Sequence, residues 1–423
     1  MPEGQAPRAG LALRASWREQ WAVRFLLLTL LSLSAIGHAQ AFPASAPASQ
    51  PSASDRRHAL ELSRQAADFI DAQKWPEAEK TLRQAIALVP DEQVCLYNLA
   101  LTCAMTDRPD AAVEYLTKAT DAGFTDFHRL LNDPAFVPLR ELPAFQQLLG
   151  RRDEIRRHAA ERMLAELKAD FGDHYRYELD EPHKLVLAGR LDQSALDAAA
   201  DGLRVEQQSL AEQVFSHPPD ELIRVIIATS LDFSKLEHRA DVGGHYDDAT
   251  RTILVKRPGP ELRHEYVHAL HAADQHALGQ EHPVWLSEGL ATLYEQPASI
   301  PATQPAAARM APADNWRLAR VQAAARHDSL IPLDKLIVMD RAAFTARADL
   351  AYGESGSLLL YLHERQLLKK FYDTYVASYA NDSTARHALE VTTGMSLTEL
   401  QKAWVAWLLP RAVPVREGSN VAR

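Results

Sequence analysis

The chain has 423 residues, 47% of them apolar and 24% charged. That is the balance of a globular protein with room for two or three domains, and it excludes a disordered chain, a collagen and a multispan membrane protein. A formal net charge of -10, from 46 Lys plus Arg against 56 Asp plus Glu, argues against a protein built to hold nucleic acid, which needs a basic surface. Two cysteines supply neither a disulfide framework nor a cysteine-rich zinc module, so any metal must be held by carboxylates and histidines.

Arg14, Arg18 and Arg24 form a basic region, Phe25 to Ile36 an apolar run, and Ala39-Gln40-Ala41 an A-x-A cleavage signal. The pattern predicts a signal peptide over 1–41 and export to a periplasm or beyond. The apolar run is shorter than the ~20 residues of a transmembrane helix, so no membrane span is expected after cleavage; an uncleaved N-terminal anchor is the alternative. Residues 42–55 (FPASAPASQPSASD) are too poor in large apolar side chains to offset their ordering entropy, and predict a flexible linker.

Over 56–150 a period of 34 is visible: Ala66, Ala78, Leu82 and Ala85 recur as Ala100, Ala112, Leu116 and Ala119. Small residues at these offsets let paired helices approach closely, while Leu82, Leu116, Tyr97 and Leu99 fill the space between pairs. Pro90-Asp91 separates one unit from the next. The pattern resembles tetratricopeptide repeats, with a third, degenerate unit expected over Phe124–Leu149; an ordinary helical bundle is the alternative. The resemblance implies docking of a protein partner or substrate, or packing on the next domain. Cys95 and Cys103 are eight residues apart on one predicted helix, which is ~12 Å of rise against the ~7 Å limit for a disulfide. They are expected to be separate, buried thiols.

Leu222–Ser230, Thr252–Lys256 and His183–Leu187 read as strands. Pro258-Gly259-Pro260 then breaks the chain and opens a helix bearing His264-Glu265-Tyr266-Val267-His268. At this spacing both imidazoles lie on one helix face, one turn apart, and can reach one ion. Glu265 can point its carboxylate at a water on that ion. Pro283 opens a second helix (VWLSEGLA), from which Glu288 can turn back to the histidine pair. Two His and one Glu leave one tetrahedral position open, the arrangement of a catalytic zinc.

The motifs at 264–268 and 283–295 resemble the gluzincin metallopeptidases, within them the peptidase MA-like group, and the similarity extends over about 160–410. It implies one Zn2+ per chain, held by His264, His268 and Glu288, with Glu265 as general base. Thr292 stands where many gluzincins carry an Asp that holds a ligand histidine, leaving Glu295 or a backbone carbonyl for that task. Asp274 lies where metzincins place a third ligand, but His271 replaces the glycine that turns their chain, so the helix should continue and carry Asp274 away. His271, His276 and His282 are expected to be packed or solvated.

Related aminopeptidases carry a G-x-M-E-N motif where this chain has Gly243-Gly244-His245-Tyr246-Asp247. Tyr246 replaces the Glu that anchors a free amine, which favours internal cleavage. The stretch Ala351-Tyr352-Gly353-Glu354 resembles their Y-x-K-G segment, implying Tyr352 as the donor to the oxyanion; Tyr246 and His245 are alternatives.

The expected fold class is α+β and mainly helical. A helical repeat domain (56–150) precedes a gluzincin-like domain (155–410) with a small β-sheet, the H-E-x-x-H helix and a helical C-terminal part. There Ser396 caps a last helix that packs Trp404 and Trp407 into the core. Residues 297–314, with four prolines, read as a loop, and 411–423 as a disordered tail. The expected function is an exported zinc endopeptidase acting on peptides or proteins. The alternatives are a catalytically inactive scaffold that binds a protein partner through its repeats, and a zinc hydrolase of another bond.

Overall fold

The computed structural model describes residues 51–237, 243–296 and 317–412. The signal peptide, most of the linker, the proline-rich loop at 297–314 and nearly all of the C-terminal tail lie outside the described residues. The chain divides into two compact units, Met1–Ala165 and Glu166–Arg423. It is mainly helical with one small mixed sheet. No helix among the described residues is long and apolar enough to cross a membrane.

The first unit opens with α1 (Ala53–Asp71), three residues inside the stretch expected to be linker. Ser52 accepts from the Asp55 backbone N–H while Asp55 accepts from that of Ser52, a reciprocal cap that starts the helix there. It pairs with α2 (Trp75–Leu88), and α3 (Gln93–Met105) pairs with α4 (Pro109–Ala122). Ala66, Ala78, Leu82, Ala85, Ala100, Ala112, Leu116 and Ala119 are all fully buried, so the 34-residue period marks the packing surface of the helix pairs. Arg108 links the pairs through hydrogen bonds of 3.1 and 2.5 Å to Glu79, which hold that carboxyl down at about 2. Cys95 and Cys103 are free and buried on α3.

The third unit departs from a helix pair. It consists of α5 (Phe127–Asn132), a 3-10 turn (Pro134–Leu139) and α6 (Pro143–Gly150), and is followed by α7 (Arg152–Phe171). Pro134, Pro138 and Pro143 each remove a backbone donor, so no long helix can run through. Tyr97 organises this end: its hydroxyl donates to Asp133 at 2.8 Å and its ring stacks on Phe124.

The second unit is built on a five-stranded sheet, β1 (Arg176–Asp180), β2 (Leu185–Gly189), β3 (Ile223–Ile227), β4 (Gly244–Asp247) and β5 (Thr252–Val255), in the order β1-β2-β3-β5-β4. The central pairs β2–β3 and β3–β5 are parallel and the edge pairs antiparallel. Apart from Arg224 and Thr252 near their starts, the central strands are apolar, as burial on both faces requires, and α8 (Gln193–Gln213) makes the crossover from β2 to β3. The short α9 (Ser230–Leu236) follows β3. Gly244–Asp247 forms β4, an edge strand, where the sequence offered no β-branched residue to mark one.

After β5 the chain turns at Gly259, whose φ of 132° is closed to other residues, into α10 (Pro260–Leu278). Helix α11 (Val284–Tyr294) is apolar on nearly every face. It packs on α10 and, of the helices that follow, most closely on α15; these are α12 (Leu318–Arg326), α13 (Leu333–Leu336), α14 (Arg341–Ala346), α15 (Ala348–Glu364), α16 (Leu368–Ser378), α17 (Arg386–Thr393) and α18 (Leu397–Leu408). Trp285, Leu290, Leu359 and Trp404 are fully buried in this core, each large side chain stabilising it by roughly 2 kcal/mol. Trp407 is only half-buried and donates to Glu364 at 2.9 Å, so of the two tryptophans expected in the core one caps its surface. Ser396 caps α18 as expected.

Helices α11 and α15 touch through glycine. A Cβ on Gly356 would meet Thr292 Cγ2 at 2.7 Å, and one on Gly289 would meet Ser355 Cβ at 3.0 Å. That closeness brings the α11 face bearing Glu288 beside the start of α15.

A candidate metal centre between two helices

Helix α10 presents His264 and His268 on one face, and Glu288 reaches them from the second turn of α11. His268 Nε2 lies 3.2 Å from His264 Nε2 and 3.2 Å from Glu288 Oε2, and His264 Nε2 lies 3.4 Å from the same oxygen. Nitrogen and oxygen donors ~2.1 Å from a tetrahedral ion stand ~3.4 Å apart, so the three edges fit a single ion. Among the described residues this is the group able to hold a metal.

The electrostatics suit a cation. Burial opposes ionisation of Glu288, but the two histidines outweigh it and hold its carboxyl well below the usual carboxylate range. Burial also works against a charged His264; the Glu288 hydrogen bond and the charges of Glu265 and Glu295 outweigh it and lift its pKa.

Two residues near the ligands were not marked by the sequence reading. Ser287 Oγ lies 3.3 Å from His268 Nδ1, the ring nitrogen facing away from Glu288. Arg341 Nη1, at the start of α14, donates to Glu288 Oε1 at 3.0 Å. Ser287 adjoins Glu288 in the chain and could have been found by asking what holds the histidine ring. Arg341 lies 53 residues beyond Glu288 and carries no local signal.

Of the two groups suggested to steady the ligand histidines, the Glu295 carboxylate stands 4.0 Å from His264 Nδ1. It is paired with Arg317, and its backbone carbonyl accepts from Arg263 Nε at 3.0 Å. Thr292 is buried under Gly356.

Glu265 is half-buried on α10 and lies against β4, with its Cγ 3.5 Å from where a Cβ on Gly244 would stand. No hydrogen bond holds its carboxylate among the described residues. Tyr352 sits on the first turns of α15, its ring 6.2 Å from that of His264 and edge-on to Phe344 at 5.2 Å. Burial, reinforced by Glu288, pushes its phenol pKa up, which keeps the proton on. Tyr246 and His245 are engaged elsewhere. Tyr246 Oη donates to Asp248 at 3.1 Å, and His245 Nδ1 is 2.8 Å from Glu237.

Asp274 is carried away from the centre by the unbroken α10. It accepts from the backbone N–H of Ser216 and His217 and from Tyr372 Oη at 2.7 Å. His271 and His282 are buried against each other, Nε2 to Nδ1, at 2.7 Å, and His276 is exposed and paired with Asp248.

A family model described as "Protein of unknown function (DUF1570)" matches residues 261–386. That span contains His264, Glu265, His268, Ser287, Glu288, Arg341 and Tyr352. No curated protein and no solved structure matches the chain.

Proposed function

We propose that the chain is an exported zinc-dependent peptidase that cleaves within peptide chains, with its helical repeats docking a protein substrate or partner. The observation that carries this reading is the convergence of His264, His268 and Glu288 on one point with tetrahedral edges, with Glu265 beside them. In the gluzincin resemblance these residues have the same roles.

A bound zinc supplies a Lewis acid that polarises the scissile carbonyl and makes water acidic enough to attack near neutral pH. Glu265 accepts the proton of the attacking water and passes it to the leaving amine. Tyr352, kept protonated by its surroundings, donates a hydrogen bond to the carbonyl oxygen as negative charge develops there. The edge of β4 away from β5, which pairs with no strand among the described residues, suits an extended peptide backbone.

The test is metal analysis of the purified chain together with a proteome-derived peptide cleavage screen, comparing wild type with Glu265→Gln. One zinc per chain in both and cleavage by wild type alone are expected. Retained cleavage by Glu265→Gln, or a metal-free wild type, overturns the reading.

A further inference from the structure

Arg341 is placed unlike any other charged residue at the centre. Its partner Glu288 is buried, with a side chain 5% exposed, whereas the Arg341 side chain is 71% exposed. One N–H of its guanidinium goes to Glu288 Oε1. The other donors make no hydrogen bond among the described residues. Arg317, the other arginine beside Tyr352, is by contrast paired with Glu295. The Glu281 carboxylate feels the Arg341 charge but takes no hydrogen bond from it.

Charge counting gives this placement a consequence. Glu288 and Glu265 contribute one negative charge each, and Arg341 one positive charge. Leaving out Glu281, whose ionisation burial opposes, a divalent ion held by Glu288 Oε2 and the two histidines leaves the group with one net positive charge, with a planar fork of donors at the solvent-facing rim. Such a fork matches a carboxylate.

We propose that Arg341 forms an anion subsite at the rim of the metal centre and selects substrates bearing a carboxylate near the scissile bond, either an acidic side chain or a chain terminus. The inference rests on the reading of His264, His268 and Glu288 as a metal centre.

Two small chelators separate the terms: acetohydroxamate, which is neutral apart from its metal-binding head, and the monohydroxamate of succinic acid, which adds a carboxylate. Calorimetric titration of the zinc-loaded full chain is expected to show the succinyl compound binding roughly tenfold tighter than the neutral one. Arg341→Gln keeps a polar side chain but removes the charge; it should keep zinc and lose the preference. Arg341→Lys should retain most of the preference. Equal binding of the two chelators by wild type, or an unchanged preference in Arg341→Gln, overturns the subsite and leaves the metal centre standing. A Gln variant that loses zinc outright makes Arg341 a holder of Glu288 and also overturns the subsite. A wild-type chain that takes up no zinc overturns both readings. In a wild type with the preference, cleavage of paired peptides differing by Asp against Asn, or by free against amidated C-terminus, distinguishes the two carboxylate sources.

Discussion

Ser287 Oγ stands 3.3 Å from His268 Nδ1 while the neighbouring Glu288 faces His268 Nε2 at 3.2 Å. Two consecutive residues of one helix therefore grip both nitrogens of the same imidazole. A hydroxyl that accepts from Nδ1–H fixes the tautomer in which Nε2 is unprotonated and its lone pair can bind a metal. Ser287→Ala is expected to weaken metal affinity about tenfold with little change in thermal stability of the metal-free chain. A competitive chelator titration measures it, and an unchanged metal affinity would exclude the role.

Tyr352→Phe removes only the hydroxyl. If Tyr352 donates to the developing oxyanion, kcat falls by about 10²-fold while KM and metal content stay close to wild type. A fall in affinity without a fall in kcat would instead mark Tyr352 as packing around His264.

Glu354 is fully buried, and burial pushes its carboxyl up to about 8 from 4.5. The unfolded chain releases this proton near 4.5, the folded chain near 8, so between those values the folded state binds more protons and stability falls as pH rises. Glu354→Gln keeps the acceptor for the Ile331 backbone N–H, 2.9 Å away in wild type, and removes the penalty. It should match wild type below pH 4.5 and exceed it by up to a few kcal/mol at pH 8.5. Urea unfolding at pH 4 and 8.5 checks this; a variant less stable at pH 8.5 refutes it.

The buried histidine pair has the opposite sign. Burial holds His282 down at about 4 and His271 well below 6.5. Unfolding lets both take up protons near 6.5, so their contribution is intact above that value and is lost as pH falls from 6.5 toward 4. His282→Phe is expected to flatten that acid slope relative to wild type. Parallel slopes for the two proteins in urea unfolding at pH 7 and 4.5 would rule it out.

The parts legible in the sequence were those in which chemistry and period coincide within a few turns of helix. The eight residues of the 34-residue period are buried because helix pairing repeats them, and His264 and His268 face one point because four residues make one turn. Glu288 was readable because a proline start and a short apolar helix fixed its direction. The third unit, expected to be degenerate, is divided by its prolines into short helices. β4 was missed because Gly-Gly-His-Tyr-Asp has no strand-forming character of its own and pairs only because β5 offers an edge. Arg341 meets Glu288 through the tertiary packing of α14, which no local pattern encodes.

The glycines between α11 and α15 set a mechanical tolerance. Gly289 is the residue after Glu288, and Gly356 is one turn beyond Tyr352. With no Cβ at either position, Ser355 and Thr292 of the facing helices pack directly onto glycine main chain, and the span from Glu288 to Tyr352 is set by that close approach. An alanine at either glycine acts as a shim, moving one wall of the centre by the thickness of a methyl group.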